Sequence, residues 1–139
     1  MYNWWRCRSI IDSFCLLDIN QDSQKELIIL GHDQDNVQII TYDKSNSEII
    51  ELLNTHVYGG IRYSKTAKQI TYTWFKSFQG AMSYEFYELK NNKLELVKNV
   101  GSDDINSYFI NTKESSNKVT EDEVRAQFDG FEFLEFLKF

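Results

Sequence analysis

The segment that decides the interpretation of this chain is Asp18-Ile19-Asn20-Gln21-Asp22-Ser23-Gln24-Lys25-Glu26-Leu27. Apolar runs flank it on both sides, at residues 14–17 and 27–30. Oxygen-bearing side chains occupy the alternate positions Asp18, Asn20 and Asp22, and Glu26 adds a further carboxylate. This spacing predicts a cation-binding loop set between two β-strands.

Calcium is the cation that suits this loop best. It takes six to eight oxygen ligands, whereas magnesium demands stricter octahedral geometry. The side chains of Asp18, Asn20, Asp22 and Glu26, together with the backbone carbonyl of Gln24, form the predicted ligand set. We expect the ion to be structural, because no polar constellation around the loop indicates catalysis. The alternative is a metal-free loop whose turn is held by Asx-type hydrogen bonds.

Alternating apolar and polar residues predict antiparallel strands through most of the chain. Residues 69–76 show the pattern well, with Ile70, Tyr72 and Trp74 on one face and threonines on the other. Residues 1–13 are ambiguous and are interpreted as a short helix. The predicted strands are 14–17, 26–31, 61–64, 69–76, 81–89, 94–97 and 107–110, with a hairpin over 37–53.

A helix is predicted near the end of the chain. Thr120 can cap its N-terminus while Glu123 bonds back to the cap, and Gly130 ends it. The apolar tail that follows either alternates as a strand or continues as a helix. We therefore expect a single domain over residues 1–139 with an α+β fold, namely an antiparallel β-meander of about seven strands with a C-terminal helix packed on one face.

The composition restricts the classes of partner. A net charge of −6 and a pI near 4.9 argue against nucleic acid and anionic membranes, and favour a cation or a basic protein. No apolar run is long enough to span a bilayer, and the start of the chain does not resemble a signal peptide. We expect an envelope or extracellular location if an export signal lies upstream, and a cytoplasmic one otherwise. Cys7 and Cys15 allow either one disulfide or two free thiols.

The loop also resembles a known pattern. Residues 18–27 are similar to the DxDGDGxxEL loop of integrin-type FG-GAP repeats and dockerin-like calcium modules. Residues 16–29, the hairpin over 89–97 and the segments 108–111 and 119–123 together resemble exported lipoprotein and cell-surface domains of Gram-positive gut bacteria. This resemblance covers roughly residues 14–128 and implies a calcium-bound β-meander. The chain departs from the pattern at Gln21 and Ser23, where those proteins have glycine, and at the positively charged Lys25.

Aromatic residues supply the remaining functional signal. Phe75 and Tyr87 are expected on the face of the predicted meander opposite the helix. The aromatic residues gathered in this region are Tyr58, Tyr63, Tyr72, Trp74, Phe75, Phe78, Tyr84 and Tyr87. They either bind a protein or glycan ligand or cover a second small core. The sequence thus predicts a non-enzymatic binding module of the bacterial cell envelope, stabilised by calcium. The alternative is a small acidic immunity or inhibitor protein that binds a basic toxin or enzyme.

Overall fold

The computed structural model describes residues 11–31, 36–77, 80–103 and 107–138, without the side chains of residues 11, 12, 75 and 76. The predicted helix over 1–13 lies mostly outside these residues, and its last three positions belong to a strand instead. Cys7 is likewise outside them. Cys15 carries a free thiol.

The described chain forms two antiparallel sheets. The first is a meander of four strands to which a short C-terminal strand is added at one edge, in the order β12-β1-β2-β3-β4. Its strands are β1 (Ile11–Leu17), β2 (Glu26–Gly31), β3 (Asn36–Asp43), β4 (Glu48–His56) and β12 (Leu137–Lys138). The predicted strand 26–31 and hairpin 37–53 are confirmed here, and the 18–26 loop connects β1 to β2.

The second sheet has seven strands in the order β10-β9-β8-β7-β6-β5-β11. Only Val57 separates β4 from β5, so the chain passes from one sheet to the other within a single residue. The strands are β5 (Tyr58–Ser64), β6 (Gln69–Lys76), β7 (Met82–Lys90), β8 (Lys93–Ser102), β9 (Tyr108–Thr112), β10 (Ser116–Val119) and β11 (Glu132–Phe133). The predicted alternation of residues 69–76 and 81–89 places these residues correctly in adjacent strands.

The main core lies between the two sheets. Ile28 and Ile39 of the first sheet and Ile61 and Ile70 of the second are at most 1% exposed and belong to one buried cluster. Burial of such side chains contributes roughly 1.5–3 kcal/mol each relative to exposure. Tyr87, expected on the face opposite the helix, packs against this cluster, so for that position the alternative of a covered face holds.

The helix covers the opposite face of the second sheet. It is α1 (Glu121–Ala126), and Thr120 and Glu123 form the predicted reciprocal capping box. After it, the ring of Phe128 contacts Tyr84 and Phe86, with ring centroids 4.8 and 5.3 Å apart. The helix and the segment after it therefore cover part of the second sheet on the face opposite the main core.

The C-terminal tail resolves as two short strands rather than one element. Glu132 and Phe133 pair with β5, and Leu137 and Lys138 pair with β1. The tail thereby joins an edge of each sheet. The expected meander of about seven strands has too few strands. Within the described residues the fold has twelve strands in two sheets and only a short helix. Short tail strands escape sequence analysis because an edge partner, rather than an alternating pattern, determines them.

Candidate functional site

The 18–26 loop keeps the backbone shape that its sequence pattern predicts. Gln21 has a φ of 61° and Ser23 a φ of 74°, both in the left-handed region. These are the positions at which the resembling calcium loops have glycine. A left-handed conformation costs a residue with a Cβ roughly 1–2 kcal/mol. Interactions within the loop must therefore offset this strain.

Side-chain oxygens in the loop accept those stabilising hydrogen bonds. The two carboxylate oxygens of Asp18 accept from the backbone N–H of Asp22 at 3.0 Å and of Ser23 at 2.8 Å. The Asn20 oxygen accepts from the Asp22 N–H at 3.3 Å, and the Asp22 carboxylate accepts from the Gln24 N–H at 2.8 Å. This is the Asx-type arrangement that the metal-free alternative predicts.

Glu26 turns into the fold. Its side chain is 1% exposed; Oε2 accepts from the backbone N–H of Ile19 at 3.0 Å and Oε1 from the Thr41 hydroxyl at 3.1 Å. Burial raises the pKa of Glu26 above its ordinary value, because desolvation of the charged form outweighs these two hydrogen bonds. Glu26 thus fastens the start of the loop to β3.

Two further side chains tie the loop to its surroundings. The Gln24 amide donates to the Thr41 hydroxyl at 3.1 Å and to the Tyr42 carbonyl at 2.6 Å. The Tyr63 hydroxyl, on the second sheet, lies 3.1 Å from the Asp18 carbonyl oxygen and 3.0 Å from that of Ile19. The Gln21 amide donates to the Tyr63 hydroxyl at 2.8 Å. The loop is therefore a junction between the two sheets.

The five predicted ligands divide into two groups. The side chains of Asp18, Asn20 and Asp22 accept from the loop amides, whereas the Glu26 carboxylate points toward β3. The fifth ligand is the backbone carbonyl of Gln24, whose role stays a prediction. Among the residues described, no group of three or more His, Cys, Asp or Glu side chains is placed to hold a metal ion. The chemistry of the donors suits calcium, but their arrangement here favours a hydrogen-bonded brace.

Sequence analysis missed Thr41 and Tyr63 as parts of this site. Thr41 is one position in the alternating pattern of a strand, and Tyr63 is 37 residues beyond Glu26. Neither has a sequence signal of its own, because only the packing of the two sheets brings it to the loop.

The second candidate site is a cleft beside β5. The register between β5 and β6 shifts between Tyr58 and Arg62, where Gly59 and Gly60 lie, so the strand bulges away from its partner. The resulting cavity has a volume of about 740 Å³. Its lining includes Tyr58, Arg62, Thr71, Thr73, Tyr84 and Phe133.

Aromatic side chains at the cleft are open to solvent. Tyr58 is 51% exposed and Phe133 is 59% exposed. Trp74, close to Tyr58 along the neighbouring strand, is 52% exposed. The exposed rings at the β5 bulge are therefore not the pair predicted from the sequence: Tyr87 packs on the core, and the side chain of Phe75 lies outside the described residues.

Comparison with known proteins adds no relative: no protein-family model, curated protein or solved structure matches this chain. No helix in the described part of the chain is long and apolar enough to cross a membrane.

Proposed function

We propose that this protein is a non-enzymatic binding module of the bacterial cell envelope that holds its ligand in the cleft beside β5. The observation that carries the proposal is the cleft itself, an open cavity of about 740 Å³ with the exposed rings of Tyr58 and Phe133 at its mouth. Ligand pockets have volumes of roughly 300–1,000 Å³ and are lined mainly by apolar and aromatic side chains. The envelope location rests on the resemblance of the 18–26 loop.

The lining favours binding over catalysis. Arg62 is the one charged side chain among the described residues that line the cleft. A guanidinium keeps its proton at all ordinary pH values, so it cannot act as a general base. The polar groups beside it are threonine and tyrosine hydroxyls, which orient a ligand without needing to ionise.

A matched pair of variants tests the cleft. Tyr58→Ala removes an exposed ring at its mouth, whereas Ile49→Ala removes a side chain that is 74% exposed on β4, at the far edge of the first sheet. We expect labelled wild-type protein and Ile49→Ala to bind isolated Gram-positive cell walls or their surface-protein extract saturably. Tyr58→Ala should bind at least about tenfold more weakly. Equal binding by Tyr58→Ala, or no saturable binding by the wild type, would refute the proposal.

We further propose that calcium reinforces the loop. Asp18, Asn20 and Asp22 are the residues that would hold it, and the ion would supply positive charge beside side-chain oxygens that accept hydrogen bonds of up to 3.3 Å from donors of the same loop. Thermal unfolding in calcium and in chelator measures this. A higher Tm in calcium, lost in Asp18→Ala but kept in the control Asp129→Ala, supports the site; an unchanged Tm in the wild type excludes it.

A second candidate function, binding of a basic toxin or enzyme, is favoured by the charge of the C-terminal segment. Over residues 121–138 the exposed carboxylates outnumber the two exposed bases, Arg125 and Lys138, and comprise Glu121, Asp122, Glu123, Asp129, Glu132 and Glu135. For this function, Glu132→Gln with Glu135→Gln should weaken capture of the basic partner, and capture should weaken further with salt. For the cleft function, the same double variant should bind like wild type.

A further inference from the structure

The outer face of the first sheet, which points away from the main core, carries mainly apolar side chains. An antiparallel sheet that covers a core on one side usually carries polar side chains on its other side. Along β3, buried residues such as Ile39 and Thr41 alternate with residues that point outward. Contiguous exposed apolar patches mark interaction sites. Four large side chains of this outer face are between 46% and 74% exposed, namely Leu16, Tyr42, Ile49 and Leu137.

These side chains belong to one continuous surface. Leu16 lies directly opposite Leu27, and Leu27 lies opposite Ile40 on the next strand. Tyr42 lies opposite Ile49. Residues directly opposite each other on one face of a sheet have Cβ atoms about 5 Å apart. The apolar face, as we name this surface, consists of Phe14, Leu16, Leu27, Ile29, Ile40, Tyr42, Ile49 and Leu137.

Charge is confined to one margin of this surface. Among the described side chains that point outward from the first sheet, the one carboxylate is that of Glu51, on the edge strand β4, and it accepts from the Gln38 amide at 2.5 Å. The acidic side chains that give the chain its net charge of −6 therefore lie almost entirely outside the apolar face. A basic partner would find hardly any counter-charge here, whereas a second copy of the apolar face would meet no like charge at its centre.

The size and shape of the apolar face match what a dimer needs. Five strands spaced about 4.8 Å apart, four of them six to nine residues long, give a face roughly 24 Å by 24 Å. Two such faces in contact bury on the order of 1,000 Å² together, which is about the lower limit for a specific protein–protein interface. Twisted sheets also pack well on one another, about 10 Å apart and with strand directions within about 30°. A second copy therefore supplies a surface of matching twist, size and polarity.

We propose that two copies of this protein form a two-fold symmetric dimer by packing their apolar faces against each other. In such a dimer the same patch of both copies forms the interface, so each exposed apolar side chain is covered by its counterpart surface. The proposal goes beyond the proposed function, because none of the described residues that line the cleft beside β5 belongs to the apolar face. Each dimer therefore carries two separate clefts.

Sedimentation equilibrium of the wild type and of lysine variants tests the dimer. At micromolar concentrations we expect the wild type to have twice the mass of the 16.5 kDa chain. Leu16→Lys and Tyr42→Lys should each raise the dissociation constant at least tenfold, because each buries an unpaired ammonium in the interface. Lysine makes the net charge less negative, so general repulsion cannot explain a dissociated variant. The control Leu96→Lys makes the same change at a side chain that is 40% exposed on the second sheet, and it should dimerise like the wild type.

The salt dependence of the wild type gives a readout that needs no variant, and so it holds even if a lysine variant misfolds. Two copies that each carry a charge of −6 repel, so added salt should tighten a dimer that is held by apolar contacts. A dimer that weakens in salt is held by ion pairs and would overturn the proposal. A wild type that stays monomeric, which would leave the apolar face to a different partner, or one that assembles beyond a dimer would also overturn it. So would a dimer that both lysine variants keep, or one that Leu96→Lys loses equally.

Discussion

Replacing Glu26 tests how much its hydrogen bonds to Ile19 and Thr41 stabilise the fold. Glu26→Gln keeps one oxygen, which can still accept the Ile19 N–H, and offers an amide that can donate to Thr41. It also removes a charge whose burial is unfavourable, so we expect at most a small decrease, below about 1 kcal/mol, in the free energy of unfolding. Glu26→Leu fills similar space but accepts nothing.

The leucine variant should therefore be much less stable. The Ile19 N–H would be left buried without an acceptor, and Thr41 would keep only its bond from Gln24. A buried unsatisfied donor costs roughly 1–3 kcal/mol, so we expect a loss of about 3 kcal/mol for Glu26→Leu. For a chain of 139 residues, each kcal/mol lowers the Tm by about 3 °C.

Urea unfolding in the presence of chelator measures both losses without interference from calcium. Glu51 provides the control, because it is exposed on β4 and accepts only from the Gln38 amide at 2.5 Å. Glu51→Gln and Glu51→Leu should each change the free energy of unfolding by less than about 0.5 kcal/mol. Our reasoning is refuted if Glu26→Leu is as stable as Glu26→Gln, or if both match the Glu51 controls.

Three further predictions concern the same loop. The pKa of Glu26 in the folded state is raised above 4.5, so the folded state holds the proton more tightly than the unfolded state. The stability of the wild type, relative to Glu26→Gln, should therefore fall as the pH rises from about 4.5 to the folded pKa. Urea titrations across this range that show a relative gain would contradict this. Tyr63→Phe removes the hydroxyl that joins the second sheet to the loop and should lower stability by about 1 kcal/mol, with an unchanged Tm as the contrary result. Ser23→Gly removes the Cβ from a residue with a φ of 74° and should raise the free energy of unfolding by about 0.5–1 kcal/mol. Ser45→Gly, at a turn residue without a positive φ, should not raise it. Equal effects of the two variants on the Tm would count against backbone strain.

The local elements of this fold could be predicted from the sequence because their causes are local. The alternation of Ile70 and Tyr72 with threonines specifies a strand, and the pair Thr120 and Glu123 specifies where the helix starts. The left-handed turn at Ser23 follows from the spacing of the acids around it. Each of these features depends on residues no more than a few positions apart.

The assembly of these elements could not be predicted in the same way. A period of two assigns residues to faces but does not say what covers each face. It therefore cannot tell whether Tyr87 binds a ligand or packs in a core, as it does in the structure. The chain changes from the first sheet to the second at one residue, Val57. The cleft depends on a bulge and on Phe133 of the tail, whose strand has only two residues. Pairings between strands that are far apart in the sequence determine these features.

The dependence of the cleft on the tail leads to a last prediction. Phe133 stacks on Arg62 and belongs to β11, which is held to β5 by few bonds, including one from the Leu134 N–H to the Ile61 carbonyl at 2.8 Å. A ligand that contacts Phe133 and Arg62 binds only the docked tail, so it must stabilise that docking by linkage. Binding to isolated cell walls should therefore slow hydrogen exchange of the Leu134 amide, and should do so much less in Tyr58→Ala. Exchange at Leu134 that is unchanged by bound ligand would show that the tail is not part of the site.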